Sequence, residues 1–437
     1  MKTCHYKTAS GQAQVKPVAQ QHHYRSSKPR WLEQQLLKRL QGPLSKTRGR
    51  LHLTMPSGYQ QSFGQLTRLT DAEIGTEHAL NDPIQVSVTL NSLRCLVRLV
   101  SGGITGWSEG YIAGEWDSSD VTGLVRWALQ NEATLEGLSK ASFIKQLFDN
   151  LHHWRNNNSP SGSRRNIAAH YDLGNDFYKL WLDPSMSYSA ALFESDSQSL
   201  EAAQRAKYQR ILNLLKPAKN DHILEIGCGW GGFASELLEN HNTRLHGITL
   251  SKEQRQWSRQ QLKAKGLGEQ ADISLTDYRD LLKQYDGVVS IEMFEAVGEQ
   301  YWDTYFSTLK NSLKPGGVAV LQVISIEEQR FDSYRKQADF IQRYIFPGGM
   351  LPSIERLEQK FAEHGFSLQH KQLFGKDYAR TLRHWRASFE QQTEALEKLG
   401  YDEQFRRLWH YYLCYCEGGF EEGSIDVGLY QLVNNNS

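Results

Sequence analysis

Residues 222–232 read His222-Ile223-Leu224-Glu225-Ile226-Gly227-Cys228-Gly229-Trp230-Gly231-Gly232. A short apolar run carrying one acid gives way to a loop with four glycines, and a helical pattern follows. Glycine lets backbone approach a ligand closely, and the opening turn of a helix offers unpaired N–H groups. Gly227, Gly229 and Gly232 satisfy G-x-G-x-x-G, which alone is a weak match to a dinucleotide loop. That version needs an acid about 20 residues further on, at the end of the second strand, to hold a ribose. Here that region is Gly247-Ile248-Thr249-Leu250-Ser251, and the next carboxylate, Glu253, belongs to the following helix. The nicotinamide reading fails; a loop for another cofactor, or a purely structural glycine turn, remains.

Apolar runs at 222–226, 245–249, 273–275, 288–291 and 318–324 alternate with helical patterns. Strand and helix in repetition predict an α/β domain whose parallel sheet is covered on both faces. Another extended run at 367–374, a helical region rich in Leu, Trp and Tyr, and a last run at 427–433 follow. Upstream, residues 156–165 (NNNSPSGSRR) are polar and turn-rich, and mark a linker between domains 31–155 and 166–437. In the first of these, Leu51, Leu53 and Met55 alternate up to a turn at Pro56–Gly58, and Gln60–Phe63 resumes as the second strand of a hairpin. Trp31, Leu32, Leu36, Leu37 and Leu40 recur at helical spacing among Lys38 and Arg39, a basic amphipathic segment. It reads either as a helix docked on the next domain or as one that adsorbs to anionic lipid headgroups. Residues 1–30 hold six Lys/Arg and no acid, the pattern of a disordered basic tail.

Composition removes several function classes. The 437 residues carry 50 Lys+Arg against 49 Asp+Glu, so no overall charge field marks a nucleic-acid binder. Five scattered cysteines without a C-x-x-C pair fit a reducing compartment, and the C-x-C of Cys414 and Cys416 is a poor metal signature. No run of 18 apolar residues occurs and no secretory signal opens the chain, so the expectation is a cytoplasmic protein that meets membrane only peripherally, at its inner face. The sequence leaves a homodimer open.

The loop and its flanks resemble a known family. Glu225-Ile-Gly-x-Gly-x-Gly is similar to the S-adenosylmethionine loop of class I methyltransferases. Residues 166–178, Leu182-Asp183-Pro184, Met186-Ser-Tyr188-Ser189, Thr249–Gln254, Asp277-Tyr278-Arg279-Asp280-Leu281, Met293-Phe294-Glu295 and Tyr344–Gly349 together resemble the cyclopropane-fatty-acyl-phospholipid synthases. The likeness spans about residues 165–435, and a looser one at 103–116 extends to that family's lipid-handling domain. It implies a Rossmann-like class I methyltransferase with a seven-stranded sheet, whose final strand is antiparallel, and a smaller N-terminal α+β lipid-binding domain. It implies methylation, by S-adenosyl-L-methionine, of cis double bonds in the acyl chains of membrane phospholipids. Cofactor positions carried over are Tyr188, Ser189, Glu225, Gly227, Gly229, Gly231, Thr249, Ser251, Gln254, Tyr278 and Arg279. An alkene is a feeble nucleophile whose alkylation leaves a carbocation, so a dry pocket lined by aromatic faces suits the reaction. Tyr171, Phe177, Tyr178, Trp181 and Tyr188 are candidates for that lining, with ordinary core packing as the alternative for each but Tyr188.

The resemblance also implies a bound bicarbonate as base, and here the sequence departs. Glu295, Ile324 and Tyr378 match the family's anion site, but its Cys falls on Ala190 and its His on Gln322. Alanine offers no side-chain hydrogen bond, and glutamine does not titrate near neutral pH. Two product readings follow: ring closure with bicarbonate retained through Gln322 and water, or a methylene- or methyl-branched chain made without it. A non-catalytic lipid- or cofactor-binding protein and a methyltransferase for small soluble molecules are further alternatives.

Overall fold

The structure, a computed structural model, describes residues 28–66, 83–135, 173–336 and 338–435. The tail up to residue 27, the linker at 156–165 and Tyr171 lie outside the described residues.

The first sheet has the order β2-β1-β3-β4, with β1 Arg50–Thr54, β2 Gln60–Phe63, β3 Gln85–Leu90 and β4 Trp116–Ser118. β1 and β2 form the expected hairpin, while β3 joins β1 in parallel. Residues of β3 alternate exposed and buried along its whole length, so this sheet covers a core on one face only. Helices Arg94–Ile112 and Val121–Gln130 pack beside it. The amphipathic segment is the helix Trp31–Leu44, docked through Leu37 and Leu44. Its first turn nevertheless leaves Trp31 69% and Leu32 58% exposed.

The second sheet follows the order β10-β11-β9-β8-β5-β6-β7. Its strands are β5 His222–Ile226, β6 Arg244–Thr249, β7 Ala271–Leu275, β8 Tyr285–Ile291, β9 Leu313–Ile326, β10 Phe366–Leu373 and β11 Ile425–Asn434. β5 to β9 are mutually parallel; β11 runs antiparallel to both β9 and β10. β8 is buried almost throughout, as a strand covered on both faces must be. β5 lies between β6 and β8, so the strand order reverses there and a crevice opens at its carboxyl end.

The helix Glu403–Glu422 joins the two units. Arg407 lies over the Tyr111 ring and donates to Trp116 O at 2.9 Å and Asp117 Oδ1 at 2.7 Å. Tyr111 meets His410 at 2.9 Å, Thr122 donates to the buried Glu417, and Arg126 pairs with Glu422 at 2.7 Å. A Cβ on Gly418 would stand 2.7 Å from Val125 Cγ1, so this helix and Val121–Gln130 approach at glycine distance.

Candidate active site

At the carboxyl end of β5 the chain turns through Gly227, Gly229 and Gly231, with φ of 81°, 50° and 85°, before the helix Gly232–Asn240 begins. L side chains rarely adopt such angles. A Cβ on Gly227 would press to 2.8 Å from Met293 Cγ, whereas one on Gly229 would meet no protein atom within 4 Å. The loop faces a cavity of about 680 Å³. Tyr188, Ser189, Glu225, Gly227, Gly229, Thr249, Gln254 and Tyr278 line it, so eight assigned cofactor positions converge on one space. Thr249 Oγ1 donates to Gln254 Oε1 at 2.8 Å, which fixes the amide. Glu225 is buried with Oε2 unpartnered; burial pushes its carboxyl up to about 8, opposed by the charge of Lys207.

Three assigned cofactor positions stand behind the lining. Ser251 is spent capping the helix Lys252–Ala264, accepting from Gln254 N at 3.2 Å. Arg279 is clamped on Asp277 through Nε and Nη2 at 2.8 and 2.7 Å, and the missing side chain of Gly231 makes room for Ser258. Each shapes the loops that face the cavity without facing it.

Deeper in, four elements bring Ala190, Glu295, Gln322, Ile324 and Tyr378 together, as the resemblance implies. A residue the sequence reading missed, Glu292, sits at their centre. Ala190 N donates to Glu292 Oε1 at 2.7 Å, Gln322 Nε2 donates to the same oxygen at 2.6 Å, and Tyr378 Oη donates to Oε2 at 2.7 Å. Ile324 N donates instead to Glu295 Oε1 at 2.6 Å, while Glu295 Oε2 is unpartnered. Burial pushes Glu295 up to about 8, and the neighbouring Glu292 adds to the rise. Burial also raises Glu292, against the donors Ala190, Tyr378 and Gln322 and the positive charge of Lys207. Lys207, another group missed, is fully buried and donates to Ser189 Oγ at 2.6 Å; desolvation lowers it to about 8 despite the surrounding acids. The signal for Glu292 was its place: a second carboxylate three residues before Glu295, at the mouth of β8.

Of the aromatic candidates among the described residues, all but Tyr188 take the core-packing alternative. Phe177, Tyr178 and Trp181 are closed into the core, packed edge to face or tilted against Trp409 and one another, and are absent from the cavity wall. Tyr188 does line it, 2.8 Å from the Tyr412 hydroxyl, together with Phe346, Tyr412, Tyr415 and Phe420. Most of these come from the long C-terminal helix, whose pattern announces burial but not the space it borders. The far wall includes Val125 and Leu129 of the first unit, where Arg330 pairs with Glu132 at 2.5 Å.

The profile of the mycolic acid cyclopropane synthetase family matches residues 158–430. The chain belongs to that family. It is 36% identical over 379 residues to the tuberculostearic acid methyltransferase UfaA1 of Mycobacterium tuberculosis, covering 82% of this chain and 86% of that protein. Over 368 residues it is 32% identical to the cyclopropane-fatty-acyl-phospholipid synthase of Escherichia coli, covering 81% and 89%. Among solved structures, the mycolic acid cyclopropane synthase CmaA1 complexed with SAH and CTAB superimposes with a TM-score of 0.59 at 31% identity, over 62% of this chain and 98% of that one. As a member of the mycolic acid cyclopropane synthetase family, this chain is a methyltransferase of the cyclopropane synthase type that uses S-adenosylmethionine and acts on fatty acids. The residues present suit that cofactor: a buried Glu225 carboxylate with one unpartnered oxygen and a glycine loop open at Gly229 face one cavity. They do not suit bicarbonate, because the donors of Ala190, Gln322 and Tyr378 already converge on Glu292.

Proposed function

We propose that this protein methylates cis double bonds in the acyl chains of intact membrane phospholipids, in the manner of a cyclopropane-fatty-acyl-phospholipid synthase. The observation that carries the reading is the continuity of one cavity, from the glycine loop past the buried acids to an apolar wall at Val125 and Leu129. When bound, S-adenosylmethionine supplies a sulfonium methyl group. Backbone at Gly227 and Gly229, with Glu225, Thr249 and Gln254, would hold it. Tyr188, Phe346 and Tyr412 present aromatic surface that favours positive charge and keeps water out. Glu295, Tyr378 and Ile324 line the wall against which a proton is managed, with Gln322 and Ala190 buried behind it.

Contact with the membrane is proposed to be peripheral, at an anionic cytoplasmic surface. Exposed Trp31 and Leu32 beside Lys28, Arg30, Lys38 and Arg39 support it, and among the described residues no helix is long and apolar enough to cross a bilayer. A homodimer is compatible with this arrangement.

The test is a fatty-acid profile by mass spectrometry from a bacterial host lacking its own cyclopropane synthase and fed methyl-deuterated methionine. A new acyl species with two deuterons in a ring supports ring closure; absence of any labelled chain, from soluble protein that binds cofactor, overturns the acyl reading. A second reading, a methyl- or methylene-branched product, is favoured by Ala190 and Gln322 and by the likeness to a tuberculostearic acid methyltransferase. It is read from a branched CD3 group, or from two deuterons on a methylene resolved chromatographically from the ring.

A further inference from the structure

We infer that the side-chain carboxylate of Glu292 is the protein's own base for methyl transfer, so that turnover needs no bound bicarbonate; the inference rests on the acyl-methylation reading above. The chemistry requires a base of some kind. When an alkene takes a methyl group, its π pair forms the new C–C bond and the pair of the S–CH3 bond stays on sulfur. The neighbouring carbon is left cationic. A C–H bond must then break, its pair closing a C–C bond to give a ring or a C=C bond to give a branch. In either case one proton leaves, and the cavity must offer an acceptor.

Glu292 is the carboxylate built for charge. Backbone N–H of Ala190, the Gln322 amide and the Tyr378 phenol all donate to it, at 2.6 to 2.7 Å, inside the cavity wall. Hydrogen bonds to the charged form favour that form. Glu295 accepts from backbone alone, with Ile324 N at 2.6 Å, and its second oxygen is unpartnered. Two adjacent buried carboxylates do not both ionise at neutral pH, so Glu292 holds the charge and Glu295 the proton.

The backbone supplies a separate observation. Glu292 has φ of 49°, one of four non-glycine residues with positive φ among those described. A left-handed residue of this kind costs about 1–2 kcal/mol and persists where surrounding structure enforces it. Here Glu292 N donates to Gln322 O at 2.9 Å, locking the turn that aims the carboxylate inward. A free anion in the same place would lose its donors to Glu292 and stand beside a second acid. On receiving the proton, Glu292 becomes a neutral acid, and it returns the proton to solvent after product leaves.

The experiment uses the full chain, vesicles of cis-unsaturated phospholipid and S-adenosylmethionine in buffer freed of carbon dioxide. Wild-type turnover is expected to change less than about 2-fold when bicarbonate is added. Glu292→Gln is expected to fall by about 10²-fold or more, the scale of general-base loss, with calorimetric cofactor affinity kept. Glu292→Gly relaxes the positive φ and opens the anion site; added bicarbonate or formate should restore part of its rate. By ¹³C NMR this variant should bind labelled bicarbonate and the wild type should not. A wild type that stalls without bicarbonate, or that binds it by NMR, overturns the inference alone, as does a Gln variant within about 3-fold of wild type. A wild type that binds cofactor but methylates no lipid brings down the acyl reading and the base role with it.

Discussion

At the scale of single residues, the site depends on places where a side chain is forbidden and places where a charge is. Gly227 needs both its φ of 81° and the absence of a Cβ, which would stand 2.8 Å from Met293 Cγ. Gly227→Ala should weaken cofactor binding at least 10-fold, read by calorimetry, with the fold intact by circular dichroism. Glu295 gives a pH prediction. Its folded value of about 8 lies above the ordinary 4.5 of a glutamate, so its contribution to stability is full below about 4.5 and is lost as pH rises through about 8. Glu295→Gln should remove that decline, gaining on wild type by about 1–4 kcal/mol between pH 5 and 9 in thermal melts. The sequence disclosed Ala190, Glu295, Gln322, Ile324 and Tyr378 because each lies in a motif with a family counterpart. Glu292 stayed hidden for a physical reason. Its role arises from a backbone angle and from donors on the 190 loop, β9 and the helix Gly375–Glu390, which no local pattern brings together.

At the scale of elements, the helix Glu403–Glu422 matters most. Its buried Glu417 accepts from Arg383, Arg386 and Thr122, tying the helix to Gly375–Glu390 on one side and to the first unit on the other. Glu417→Ala should cost about 1–3 kcal/mol, since the arginines it deserts are partly solvated, and should lower the melting temperature by several degrees. His410 on the same helix sits between Tyr111 and Glu390. Burial disfavours its charge, but Cys414 and Glu390 outweigh that and raise it from 6.5 to about 9. A raised histidine stabilises most below about pH 6.5 and ceases to as pH passes about 9. His410→Gln should therefore narrow its stability deficit against wild type across that window, in melts at pH 6 and pH 9.5. The parallel strands were legible as apolar runs, and the final antiparallel strand as an expectation from resemblance. The long helix was legible only as buried, since periodicity reports that a face is covered and not by what. Cys414 and Cys416, two residues apart on it, face different ways: one approaches His410 and the other lines the cavity.

At the scale of the whole molecule, two helices of the N-terminal unit leave large apolar residues in solvent. Trp31 and Leu32 are joined there by Val97, Val100 and Ile104, 56–67% exposed on the helix Arg94–Ile112. Trp31→Ala with Leu32→Ala should reduce flotation with anionic vesicles about 10-fold or more, given about 1.5–3 kcal/mol for each large apolar side chain buried. Equal flotation of variant and wild type would remove this helix from the membrane reading. The basic amphipathic segment was visible in the sequence; the second helix was not, because its exposed face depends on which side the sheet covers.

The borrowed wall at Val125 and Leu129 turns the N-terminal unit into a ruler. We propose that an acyl tail runs from the glycine loop to that wall, so that the wall's depth decides how far along the tail the modified carbon lies. Leu129→Trp should shift the labelled position or select shorter tails, while leaving the cofactor machinery as it is. Relatives that keep one catalytic core could then differ in regiochemistry through residues that never approach the reacting carbon.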